Sequence, residues 1–329
     1  MANIAINNYC NLKCKYCFAE DMIQEKSMSI TLEDYRKILS FLSRTRENHV
    51  GIIGGEPTLH PDFENILKET NKYCKQCNTT STLFTNGINL DSFLPYIGER
   101  IGVLINCNSP EFMKPDYWKS TIELFDHLDS LSWFDDKPNG PAKANIGCNV
   151  YPGLTDYSYI WEIVDKYHIP HLRTSVVSPG GIYWDMRQDK EKYYSIMKPI
   201  FINHCKNAIK HKCILHMDCG HIPECYFSVE ELEIVKKACD KLESNHFCEP
   251  VIDIKANFKA YACFGQSDEE VDMRDFNDIY ELRRYMLANI TFPNAKLNCT
   301  GKCTTCKKHE LLQCQGGCLS FARAQKNHC

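Results

Sequence analysis

Several things that would direct a chain elsewhere are missing from this one. Met1–Cys10 has no charged n-region and no apolar h-region, so no secretory signal is read there. Without one, the oxidising compartments in which disulfides are the ordinary use of cysteine are not expected. No stretch approaches the roughly 18 apolar residues of a spanning helix. A surplus of one charge is also lacking: 38 Lys and Arg stand against 42 Asp and Glu, net −4, so neither nucleic acid nor a membrane is an expected partner. With 16 Gly, 14 Pro and 43% hydrophobic residues in 329, the composition is that of a globular chain.

Cysteine is what this chain has in excess. Twenty Cys in a cytoplasmic protein point to metal, and thiolates in such numbers select zinc or iron–sulfur clusters.

The first part of the chain alternates short β-branched runs with amphipathic stretches, the pattern of repeated βα units. Strands are predicted at Ala2–Ile6, Val50–Ile53, Ser81–Phe84, Gly102–Ile105, Asn145–Val150 and His171–Val176. Helices are predicted over Thr31–Ser43 with Thr31 as N-cap, over Pro61–Tyr73 and over Asp156–Tyr167. Lys137–Pro141 reads as a loop. A long helix over Arg187–Lys210, kinked at Pro199, follows, and 13 of the 20 Cys lie beyond residue 200. The expected division is 1–185, a helical bridge over 186–245, and a Cys-rich tail over 246–329.

Cys10-x3-Cys14-x2-Cys17 places three thiols on a loop directly after a strand. Three such ligands can hold three irons of a cubane and leave the fourth open; a zinc loop or three buried thiols are the alternatives. Gly54-Gly55-Glu56-Pro57 follows the second strand, Thr85-Asn86-Gly87 the third, and Asn106-Cys107-Asn108 the fourth. All four elements fall where a strand gives way to a helix, and in a βα barrel those points share the face that carries the site.

The cysteine triplet, with Tyr16 before its third thiol, and the Gly-Gly-Glu turn resemble the radical S-adenosylmethionine superfamily. The resemblance implies a partial (β/α)6 barrel, α/β in class, with a 4Fe-4S cluster on Cys10, Cys14 and Cys17. It also implies S-adenosylmethionine against Tyr16, Gly54, Gly55, Glu56, Thr85, Asn86, Asn106 and Asn108. Asn at 106 and 108 departs from the turn common there. Implied too is reductive cleavage to methionine and a 5′-deoxyadenosyl radical that takes hydrogen from a substrate, with electrons from a donor such as flavodoxin or ferredoxin.

The tail, Cys248-x14-Cys263 and then Cys303-x2-Cys306-x7-Cys314-x3-Cys318-x10-Cys329, is similar to the SPASM extension with its two auxiliary 4Fe-4S clusters. That likeness implies Cys248, Cys263 and Cys318 on the nearer cluster, with Cys219, Cys225 or Cys239 as candidates for its fourth ligand, or an open iron in its place. It implies Cys303, Cys306, Cys314 and Cys329 on the outer one. The x7 gap is longer than the family's, and Phe258 stands where the family's hairpin has Gly. Zinc sites of ribbon type remain the alternative for the tail. Cys74 and Cys77 are expected to form a surface pair, while Cys107, Cys148, Cys205 and Cys213 are expected to be buried.

Relatives with this tail mostly modify peptides, so peptide or protein maturation by hydrogen abstraction is the first expectation. Many of them carry a leader-binding module ahead of the barrel, whereas here the first strand starts at residue 2. That keeps open a second reading, a small-molecule substrate or a sulfatase-maturation-like dehydrogenation. A non-enzymatic electron carrier or zinc scaffold is a third. No acid or base is singled out by spacing.

Overall fold

A computed structural model of the chain describes residues 1–326 except 18, 20, 21, 24, 25, 46, 137–141, 154, 155, 180, 221, 241–247 and 250. The loop predicted at Lys137–Pro141 and the ligand predicted at Cys329 lie outside the described residues. The strands are β1 Ala2–Ala5, β2 His49–Ile53, β3 Thr80–Thr85, β4 Ile101–Asn106, β5 Ala144–Val150, β6 His171–Val176, β7 Ile214–Met217, β8 Ile252–Lys255, β9 Lys259–Tyr261 and β10 Val271–Asp272. The helices are α1 Leu32–Ser43, α2 Phe63–Cys77, α3 Pro115–Ser130, α4 Ser158–Lys166, α5 Lys190–Lys210, α6 Val229–Ala238, α7 Ile279–Met286, α8 Phe292–Asn298, α9 Lys307–Glu310 and α10 Ser320–Lys326. The fold is α/β, with parallel strands of the partial-barrel type, and each of the six predicted strands is present within a residue or two of its expected ends.

Contacts divide the chain into two units. The first holds residues 1–13, 19–145 and 250–288. Its parallel strands run β8-β1-β2-β3-β4, and β9 and β10 follow antiparallel beyond β8. Register puts Ile4, Ile52, Leu83 and Val103 in one row and Asn3, Gly51, Thr82 and Gly102 in the next. Because side chains alternate along a strand, the two rows face opposite ways. The apolar row belongs to a buried core that also takes Tyr35, Ile38 and Leu42 of α1 and Phe63, Ile66 and Leu67 of α2. Each such side chain contributes about 1.5–3 kcal/mol on burial. Thr31 caps α1 as expected, its hydroxyl oxygen accepting from the Asp34 N–H at 3.0 Å.

This division differs from cuts at 185 and 245. The Cys248–Cys263 segment does form a hairpin, β8 and β9, but β8 pairs in parallel along the edge of β1, Ala2 opposite Ile252. An unpaired edge of β1 would leave a row of backbone donors and acceptors unsatisfied.

The second unit holds residues 14–18, 146–249 and 289–329. In it β5, β6 and β7 are parallel neighbours. Helix α5 continues through Pro199, and Tyr193, Tyr194, Met197 and Phe201 bury its inner side. A full capping box at Ser228 and Glu231 starts α6.

The expected surface pair Cys74 and Cys77 is corrected by the structure. Helix α2 continues through Cys77, and Cys74 falls four residues after Thr70 on its inward stripe. It is fully buried, and that burial pushes its thiol up to about 11. Cys107, Cys148, Cys205 and Cys213 are buried as expected.

Candidate cofactor site

The turn after β2 rises against the segment after β1. The Glu56 N–H donates to the Tyr9 carbonyl at 2.8 Å, and the Gly55 N–H to the Asn7 carbonyl at 3.1 Å. The Asn7 amide closes the contact, its Nδ2 donating to the Glu56 carbonyl at 2.8 Å. The approach leaves no room for side chains: a Cβ on Gly55 would stand 2.1 Å from the Tyr9 oxygen, and one on Gly54 2.3 Å from Asn7 Oδ1. Close backbone contact is therefore the structural reason for both glycines.

Glu56 is 1% exposed. Its Oε1 accepts from the Thr58 N–H at 3.1 Å, the Thr58 hydroxyl at 2.7 Å and the Thr85 hydroxyl at 2.7 Å. Oε2 accepts from the Asn86 N–H at 2.8 Å. Burial raises its pKa, and these four donors work against the rise. A carboxylate offers about four acceptor positions, so this one is committed to joining the ends of β2 and β3.

Asn86 leads on to the cysteine loop. Its Nδ2 donates to Asn11 Oδ1 at 2.7 Å and approaches Cys10 Sγ at 3.9 Å, while the Leu12 N–H approaches the same sulfur at 3.4 Å. Asn106 follows Ile105, the register partner of Thr85, and Asn108 donates to its carbonyl at 3.3 Å. Cys10, Gly54, Gly55, Glu56, Thr85 and Asn86 are thus brought together at the carboxyl ends of β1–β3, and Asn106 and Asn108 lie at the same end of β4. Asn7 and Asn11, which help hold this arrangement, escaped the sequence reading, and Thr58 was seen there only as part of the motif after Glu56, with no role given to it. Asn7 had a readable signal, a polar residue just after a strand and three before the first thiol.

Cys14 and Cys17 belong to the second unit, where the Cys17 N–H donates to the Cys14 carbonyl at 3.0 Å. Tyr16 is buried there against Tyr151, ring centres 4.5 Å apart, and hydrogen-bonded to Asn149. In the same unit Gln315 ties Cys248 down, its Oε1 accepting from the Cys248 N–H at 2.8 Å and its Nε2 facing the sulfur at 2.6 Å. Cys318 lies within electrostatic reach of Cys248, and Cys303 and Cys306 lie within reach of Cys314. Cys263 is in the first unit, its thiol facing Gln266 Oε1 at 3.8 Å. Cys219 is exposed, with its carbonyl accepting from the Val176 N–H at 3.1 Å.

The donor set fits an iron–sulfur cluster: burial raises the Cys10 pKa, and the Leu12 and Asn86 donors work against that rise in favour of the thiolate that binds iron. Among the described residues no group of three or more His, Cys, Asp or Glu is set for a single metal ion.

Residues 4–131 match the Radical SAM superfamily. That family brings S-adenosylmethionine and a 4Fe-4S cluster. The GTP 3',8-cyclase of Synechocystis sp. is 33% identical over 169 residues, 49% of this chain and 50% of that protein. The probable GTP 3',8-cyclase of Thermococcus kodakarensis is 25% identical over 167 residues, 49% and 51% of the two. The chain spans about half the length of these curated relatives. Among solved structures, Streptococcus suis SuiB bound to precursor peptide SuiA matches with a TM-score of 0.61 at 16% identity, over 99% of this chain and 72% of that one. SuiB bound to S-adenosylmethionine matches with 0.60, over 99% and 73%. At that identity the likeness is one of fold. Among the described residues no helix is long and apolar enough to cross a membrane.

Proposed function

We propose that this protein cleaves S-adenosylmethionine reductively and abstracts hydrogen from a peptide or protein, as a maturase with auxiliary clusters in its tail. The observation that carries the reading is the Glu56 hub, which locks the turn beside Tyr9 to the β3 end beside Cys10. The likeness to SuiB along nearly the whole chain supports a peptide substrate.

When bound, the cluster and S-adenosylmethionine together supply one-electron cleavage of a carbon–sulfur bond and a carbon radical able to take hydrogen. The chain's own residues do the rest. Cys10, Cys14 and Cys17 would hold the cluster, and the backbone of Gly54–Glu56 offers oxygens to an ammonium group. Asn86, Asn106 and Asn108 would supply amides to a ribose. Cys248, Cys263 and Cys318 would hold a nearer auxiliary cluster and Cys303, Cys306 and Cys314 an outer one, with electrons from a flavodoxin or ferredoxin.

A second reading, a nucleotide or other small-molecule substrate, is favoured by the 33% identity to a GTP 3',8-cyclase. The test incubates reconstituted protein with S-adenosylmethionine, dithionite and either GTP or candidate peptides, and measures 5′-deoxyadenosine and product mass. Peptide-dependent formation with a peptide mass change supports maturation, and GTP-dependent formation with a new nucleotide product supports the second reading. If the triple variant Cys10→Ala, Cys14→Ala, Cys17→Ala forms as much 5′-deoxyadenosine as the wild type, both fail.

A further inference from the structure

One thiol of the second unit has a place that its spacing did not reveal. Cys225 sits on the short turn Glu224–Tyr226, and two ties hold this turn to the C-terminal segment. Glu224 pairs with Lys308 of α9, Oε2 to Nζ 2.6 Å, between Cys306 and Cys314 in sequence. On its other side the Tyr226 ring packs on Tyr194 at 4.7 Å, and the Tyr194 hydroxyl accepts from the Cys318 N–H at 3.0 Å.

Held in this way, the Cys225 sulfur falls within electrostatic reach of Cys314 and Cys303, and Cys314 within reach of Cys303 and Cys306. Cys299 is also near, but it is buried and in hydrogen-bond contact with Cys303. Two sulfurs in such contact are too close to bind different irons of one cluster. Both lie over Gly316, Sγ atoms 3.2 and 3.4 Å from where a Cβ would stand, and the Gly316 N–H approaches Cys314 Sγ at 3.4 Å. The nest therefore combines several thiols with a backbone donor and a bare glycine, features that suit a thiolate-bound cluster.

Resting on the reading that the tail holds auxiliary clusters, we propose that Cys225 is the fourth protein ligand of the outer cluster, beside Cys303, Cys306 and Cys314. The ligand arrives from the bridge ahead of the hairpin, and Cys329 is dispensable for this cluster. On ligation the Cys225 thiol gives up its proton to solvent and binds iron as thiolate.

The experiment measures iron and sulfide per chain after anaerobic reconstitution, together with the EPR spectrum of the reduced clusters. It compares wild type with Cys225→Ala and Cys329→Ala. Wild type should hold about twelve irons, and Cys329→Ala should match it. Cys225→Ala should lose between about one and four irons, with one reduced-cluster signal lost or converted to a three-iron type. Wild-type iron and spectrum in Cys225→Ala overturn the assignment, as does loss of the same signal in Cys329→Ala. If Cys225→Ala misfolds, Cys225→Ser decides: a cluster with shifted g values supports ligation, and an unshifted one overturns it. A wild type with only about four irons removes the auxiliary-cluster reading itself, a failure visible before any Cys225 variant is made.

Discussion

Asn3 and Asp253 face each other across two parallel strands, register partners on β1 and β8, with Asn3 Nδ2 donating to Asp253 Oδ1 at 2.7 Å. The pair lies in the same row as Gly51, whose missing side chain makes space for Asn3: a Cβ there would stand 2.0 Å from Asn3 Oδ1. Asp253 is buried, and that burial pushes its pKa up to about 8, with the Asn3 bond pulling the other way.

A carboxyl whose folded pKa lies above its unfolded value near 4 favours the native state most at low pH. Its contribution is therefore full below about pH 4 and is lost as pH rises through about 8. Asp253→Asn keeps the acceptor for Asn3 and removes the titration. Urea midpoints from pH 4 to 9 should fall with pH in the wild type, by an amount equivalent to a few kcal/mol, and fall less in the variant. Parallel profiles would show that Asp253 is ionised in the fold.

Glu56→Gln replaces one acceptor oxygen by an NH2 group that must face a donor. With at least one of four bonds lost or reversed, the fold should lose about 1–3 kcal/mol. The joint between β2 and β3 should loosen, lowering 5′-deoxyadenosine formation at least about tenfold. Equilibrium dialysis with S-adenosylmethionine, alongside iron analysis, checks this: weakened binding with iron retained is the expected pattern.

Gly55→Ala forces a methyl against the Tyr9 backbone, which a rotamer change cannot relieve. The segment from Tyr9 to Cys10 must move, at a cost of about 1–3 kcal/mol. The variant should reconstitute with less iron than wild type, and full iron content with an unchanged thermal midpoint would show that the turn yields instead.

Phe258 holds φ at 66° in the tight hairpin between β8 and β9, at the position where glycine was expected. The left-handed conformation costs a bulky residue about 1–2 kcal/mol, offset in part by Arg274 over its ring at 5.1 Å, a contact worth about 0.5–1 kcal/mol when exposed. Phe258→Asn should change stability by less than about 1 kcal/mol, because Asn tolerates this region. Phe258→Val should destabilise by more, since branching at Cβ makes the conformation harder to hold. Thermal midpoints of the two variants separate the cases.

The strands and helices of the front half were legible because their signals are local. Alternating apolar residues such as Ile4, Ile52 and Leu83 mark strands. Thr31 marks the start of a helix through its own hydroxyl. The cysteine triplet and the Gly-Gly-Glu turn were legible too, since they are short and contiguous. Cys74 was misjudged because the lysines around it describe the outer side of α2, whereas burial depends on which stripe meets the sheet.

The sequence by itself determined the α/β class, the strands of the front half and the placing of the candidate residues at the carboxyl ends of β1–β4, all consequences of period and turn chemistry within a few residues. Tertiary structure alone decided that β8 joins the edge of β1, that Glu56 spends its carboxylate on Thr58, Thr85 and Asn86, and that Cys225 stands among thiols about 80 residues further on. Those are pairings between distant segments, set by edge satisfaction, burial and the Glu224–Lys308 ion pair, and no local pattern encodes which distant partner a group will meet.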